Sequence, residues 1–121
     1  MRGAALNGAY LTLGADLADP LLSSGTMCVV MAPLPNGALA IAPGDVPHPL
    51  RFNPRKVDGL AKLRSAHGDR AIALYELLDG RVPDAHAAPC DAIWNEELRL
   101  VEIRHPALQA VLAHDPRELP C

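Results

Sequence analysis

Two imidazoles and two thiols, His86-Ala-Ala-Pro-Cys90 with His114 and Cys121 downstream, are the side chains of this sequence that could hold a metal ion. Imidazole and thiolate are the donors zinc prefers, and four of them complete a tetrahedral site. The spacing matches no finger or ribbon, and Pro89 stiffens the backbone between the first two donors. The expectation is therefore no metal site and no cofactor, with a small metal protein or enzyme built on His86, Cys90, His114 and perhaps Cys121 as the alternative. Nucleophilic chemistry has candidates in Ser23, Ser24, Cys28 and Cys90, with His48, His67 or His86 as bases. Their spacing carries no triad signature, and no catalytic residue is assigned. The sequence has no phosphate-cradling GxxxxGK[ST], dinucleotide GxGxxG, GxSxG elbow, HExxH or EF-hand loop.

Charge is the stronger signal. The net value of −3 conceals a basic island, in which Arg51, Arg55, Lys56, Lys62, Arg64 and Arg70 face only Asp58 and Asp69. Both flanking segments are acidic. Arg55, Lys56 and Lys62 fall on one face of a helix expected to start at residue 55, with Arg51 on the arm before it. Such a stripe suits an acidic protein surface or phosphates. Nucleic acid is the weaker of the two, because the chain as a whole is acidic and only Phe52 is near enough to stack on a base. The expected partner contacts are thus Arg51, Arg55, Lys56 and Lys62, with Trp94 as an apolar anchor.

Length and composition bound the rest. A chain of 121 residues fits one domain with one core, and with only four aromatics that core must be Leu, Val, Ile and Ala. Three cysteines without a CxxC pair point to a reducing compartment, read as the cytoplasm. The N-terminal apolar run is broken by Asn7, Thr12 and Asp16, which argues against a secretory leader, and no stretch approaches the ~20 apolar residues of a membrane span. Nine arginines against two lysines, with abundant alanine and proline, suggest a bacterial or phage source.

Punctuation and periodicity then predict the elements that position these groups. Asn36-Gly37 predicts a hairpin with a two-residue type I′ turn, pairing 26–32 with 38–42 and setting Leu34 opposite Leu39. Pro33 and Pro35 require the tip of its first strand to be unpaired on one side. Residues 9–13 alternate as a strand, and 14–20 read as a turn. Prolines from 43 to 54 predict an extended connector. Asn53-Pro54 predicts a helix N-terminus, with Val57, Leu60, Ala61 and Leu63 on one arc. Asp69 predicts the cap of a second helix with Ala71, Leu74, Tyr75 and Leu78 inward, so that the two form an αα-hairpin. Residues 91–104 read as a helix in preference to a strand, and Pro106 starts a last helix through Ala113.

The fold expected is α+β: a small N-terminal antiparallel sheet, a proline-rich connector, and three to four C-terminal helices in a single domain. The function expected is a non-enzymatic protein-binding module acting as inhibitor, adaptor or accessory subunit of a larger protein. Nucleic-acid binding through residues 51–70 is the further alternative.

Overall fold

The computed structural model describes residues 2–112. It is mostly antiparallel β: β1 (Ala4–Asn7), β2 (Tyr10–Leu13), β3 (Cys28–Pro33), β4 (Leu39–Pro43), β5 (Val57–Leu60), β6 (Lys62–Leu63), β7 (Arg70–Ala73), β8 (Ala88–Asn95) and β9 (Leu100–Arg104). Two short helices, α1 (Ala15–Leu21) and α2 (Pro106–Leu112), and a 3-10 turn over Pro49–Phe52 complete the described elements. The strands form one sheet in the order β5-β3-β4-β9-β8-β1-β2-β7-β6.

Two segments that pair on both halves bend this sheet into a nearly closed barrel. β8 pairs with β1 through Ala88–Cys90 and with β9 through Asp91–Asn95, so it passes from one half of the sheet to the other. The segment 57–63 does the same at the outer edges: β5 pairs with β3, and after Ala61 the chain continues as β6 against β7. Ala61 holds the bend from both sides, its N–H donating to the Met27 carbonyl at 2.8 Å and its carbonyl accepting from the Arg70 guanidinium at 3.2 Å. Inward residues alternate with outward ones along each strand. Leu6, Leu11, Leu13, Met31, Ile41 and Ile72 are fully buried in the core, with no aromatic among them. The helices cover opposite ends, α1 with Ala15 against the Gly68 turn and α2 with Gln109 against the Gly37 turn.

This corrects the α+β expectation. The predicted helices at 55–67 and 69–79 are strands β5, β6 and β7, and 91–104 lies in strands β8 and β9 joined by the turn 96–99. Asn53 does use its side chain as a cap, but its Oδ1 accepts from the Arg55 N–H two residues on, closing a local turn. His67-Gly68-Asp69 joins two strands instead of two helices: Gly68 sits at φ +94 and the Ser65 hydroxyl accepts from the N–H groups of His67 and Asp69. Residues 14–20, read as a turn, hold most of α1, with Pro20 inside it. The expected last helix is α2, one residue shorter within the described range.

The hairpin forms with its register moved by one. Leu34 N–H donates to the Ala38 carbonyl at 2.8 Å, leaving a three-residue loop, Pro35-Asn36-Gly37, with Gly37 at φ +88. Met31 therefore faces Ile41 and Pro33 faces Leu39, and the single-residue shift turns Leu39 and Ile41 into the barrel. The opposite face, Val30, Ala32, Ala40 and Ala42, forms a second small core under Leu50 of the 3-10 turn. The proline-rich connector is consequently a cover for this hairpin. His48 ties it down: its Nδ1 accepts from the Leu50 N–H, so Nε2 carries the proton and donates to the Leu98 carbonyl at 2.8 Å.

Candidate functional site

Barrel closure through residues 57–63 leaves one wedge unfilled. β5 is drawn toward β3 while β6 stays on β7, so β5 and β7 diverge from the Ala61 bend. A groove of about 700 Å³ lies there. On its β7 side only the methyl groups of Ala71 and Ala73 face the opening, and the concavity follows from that choice. Tyr10 and Tyr75 stand over it, ring centroids 5.9 Å apart at 83°, an edge-to-face pair with both rings about half exposed.

The backbone in the wedge is also exposed for pairing. Along β5, Val57 and Gly59 lie opposite Met31 and Val29 and Ala61 bonds to Met27, so the alternate residues Asp58 and Leu60 turn their N–H and C=O groups away from β3. Along β7, the Leu74 N–H donates to the Ala9 carbonyl, so Ala73 turns its own toward β5. Beyond Ala71 no described strand pairs with that edge of β7, and none pairs with the outer edge of β5.

Charge is sorted along the groove. Asp58, Leu60, Lys62 and Arg64 share the outward face of the 57–64 segment at the strand period of two. The register Lys62↔Ala71 puts Asp58 level with Tyr75 and next to Glu76. One end is therefore cationic, with Lys62 and Arg64, and the other anionic, with Asp58 and Glu76. Among the described residues these four charged ends have no ion-pair partner.

Of the five expected partner contacts, Arg51, Arg55, Lys56, Lys62 and Trp94, only Lys62 lines this groove, with Arg64 of the basic island beside it. Lys56 is exposed on the turn before β5. Arg51 donates from Nε to the Val46 carbonyl at 3.3 Å, and Arg55 donates to the Leu112 carbonyl at 3.1 Å, where it helps hold the end of α2. The common helical face expected for Arg55, Lys56 and Lys62 does not exist, because there is no helix at 55–67. Trp94 points inward from β8 onto the core, its indole N–H donating to the Glu96 carboxylate. His86 is exposed and Cys90 half-buried on the β8 side of the sheet; His114 and Cys121 lie outside the described residues. Burial pushes the Cys90 thiol above its ordinary value, so it stays protonated at neutral pH. Among the described residues no group of three His, Cys, Asp or Glu side chains is placed to share an ion. No described helix is long and apolar enough to cross a membrane.

A reading by helical period sets Tyr75 inward and gives Asp58, Arg64 and Glu76 no common site, and the strand at 9–13 says nothing of what Tyr10 faces. The signal that could find Asp58 and Arg64 is the alternation Asp58-Leu60-Lys62-Arg64 against Gly59 and Ala61, a half-exposed strand with a polarised outer face. Comparison of the chain with protein-family models, with characterised proteins and with solved structures finds no match.

Proposed function

We propose that this chain is a non-catalytic protein-binding module that takes an extended segment of a larger protein in the groove between β5 and β7. It would act as an inhibitor, adaptor or accessory subunit, in a cytoplasmic setting that fits the free thiols of Cys28 and Cys90. The observation that carries this reading is the wedge itself. Two strand edges face each other with outward-turned backbone groups, and an edge of this kind is a template for a further strand. Main-chain hydrogen bonds give such a complex its affinity, and side-chain pockets its selectivity. Here the pocket is the space over Ala71 and Ala73 beneath Tyr10 and Tyr75, and half-exposed tyrosines are well suited to anchor a partner.

Fluorescence anisotropy against a library of labelled extended peptides tests this reading. The peptides that bind best to the native chain should lose about tenfold or more in affinity to Tyr75→Ala, the truncation cost of a typical interface anchor. The thermal midpoint should move little, because Tyr75 lies outside the core. Unchanged affinity of the selected peptides for Tyr75→Ala, or no binding across the library, would refute the proposal. Tyrosines beside Lys62 and Arg64 are also what single-stranded nucleic acid stacks on. Asp58 and Glu76 in the same groove oppose a phosphate backbone, and this favours the peptide.

A further inference from the structure

The order of charges in the groove specifies its occupant more closely. We infer that the β5–β7 groove selects a dipolar extended peptide of the pattern acidic-x-apolar-x-basic, read from its N-terminus, a deduction that rests on the groove being a peptide site. β5 offers two residues with free outward backbone groups, Asp58 and Leu60, against Ala73 alone on β7, so a docking strand gains most by pairing with β5. Antiparallel pairing is the more stable arrangement per residue. β5 runs from the anionic end toward Lys62, so an antiparallel peptide enters at the cationic end and leaves at the anionic one.

Residues directly opposite each other in an antiparallel pair put their side chains on the same face. The outward face of 57–64 reads Asp58, Leu60, Lys62, Arg64. Ala71 already holds the position opposite Lys62, so the acidic residue of the complementary peptide lies at the closed end of the wedge above β6, where its carboxylate reaches the outward Lys62 and Arg64 side chains. Two residues later an apolar side chain lies between Leu60 and the Tyr10–Tyr75 pair. Two further on, a basic residue sits beside Asp58 and Glu76. At about 3.4 Å per residue the two charges are about 14 Å apart, near opposite ends of the wedge. The four groove charges are unpaired within the described structure, so a peptide that matches them displaces no existing ion pair.

The test uses three labelled peptides of equal length: acidic-x-apolar-x-basic, its reversed order with the same composition, and a neutral version with amides for both charges. Each exposed ion pair contributes up to about fivefold, so the native chain should bind the first about tenfold or more tighter than the second. The double variant Asp58→Lys/Lys62→Asp leaves each end with one charge of either sign, beside Arg64 or Glu76, and should abolish that preference, and a raised salt concentration should flatten it. Equal binding of all three peptides would overturn the charge rule while leaving the groove a peptide site. Preference for the reversed order, unaltered in the double variant, would overturn it as well. Failure of all three, with no binder in the wider library, would remove the peptide reading itself.

Discussion

Ile72→Ala should lower the free energy of unfolding by about 3 kcal/mol, measured by urea denaturation, whereas Tyr75→Ala should cost about 1 kcal/mol or less. Ile72 is fully buried, projecting from β7 into the barrel between Leu11 and the bend of the 57–63 segment. Removing its outer carbons leaves a cavity that the packed side chains around it fill only in part. Tyr75 lies half exposed over the groove and loses only its edge-to-face contact with Tyr10 and part of its apolar area. A helix over 69–79 would demand the opposite ranking, with Tyr75 on the buried stripe and Ile72 off it. Equal costs, or a larger cost at Tyr75, would place this segment outside a strand.

Gly44→Ala should be nearly as damaging, at about 2–3 kcal/mol, because the added carbon meets backbone. Gly44 N–H donates to the Cys28 carbonyl at 2.8 Å at the base of the β3–β4 hairpin. A Cβ there would lie 2.9 Å from both the carbonyl carbon and oxygen of Cys28, so the strands must part or the connector must lift. Gly59→Ala is the control. Its Cβ would also come within 2.9 Å of an atom, but that atom is the terminal methyl of Met31, which can rotate away. The expected cost is about 1 kcal/mol, so thermal scans should show Gly44→Ala clearly the lower of the two, at about 4 °C per kcal/mol for a chain of this size. A reversed order would mean that the connector does not rest on β3.

The contrast between these residues shows which parts of the fold the sequence makes legible. Asn36-Gly37 marks a hairpin correctly, because few dipeptides tolerate the positive φ that Gly37 adopts. The register was not legible: Pro35 can enter the turn and lengthen the loop by one residue, which inverts the facing of Leu39 and Ile41 while leaving every apolar residue buried somewhere. Both faces of that hairpin are covered, so periodicity had no polar side with which to detect the error. In 55–79 the local signals are real but ambiguous. Asn53 and Ser65 carry side chains that cap helices and close turns by the same hydrogen bonds, and short strands supply too few periods to separate 2 from 3.6. Strand pairing is set by residues far apart, Gly59 with Val29 and Ala4 with Cys90, and no local pattern carries that information. The basic island was legible as charge. Its division into groups that hold the chain, Arg51, Arg55 and Arg70, and groups that face the groove, Lys62 and Arg64, depends on those distant pairings.

Residue-resolved amide hydrogen exchange bears most directly on the wedge between β5 and β7, from which the proposed function follows. In the free chain the N–H groups of Asp58, Leu60 and Ala73 should exchange fast, while those of Gly59 and Ile72, bonded to β3 and β2, are protected; a bound acidic-x-apolar-x-basic peptide should slow the first set. Equal protection of both sets in the free chain would mean that the seam is already paired, and the groove would then have no free edge to offer a partner.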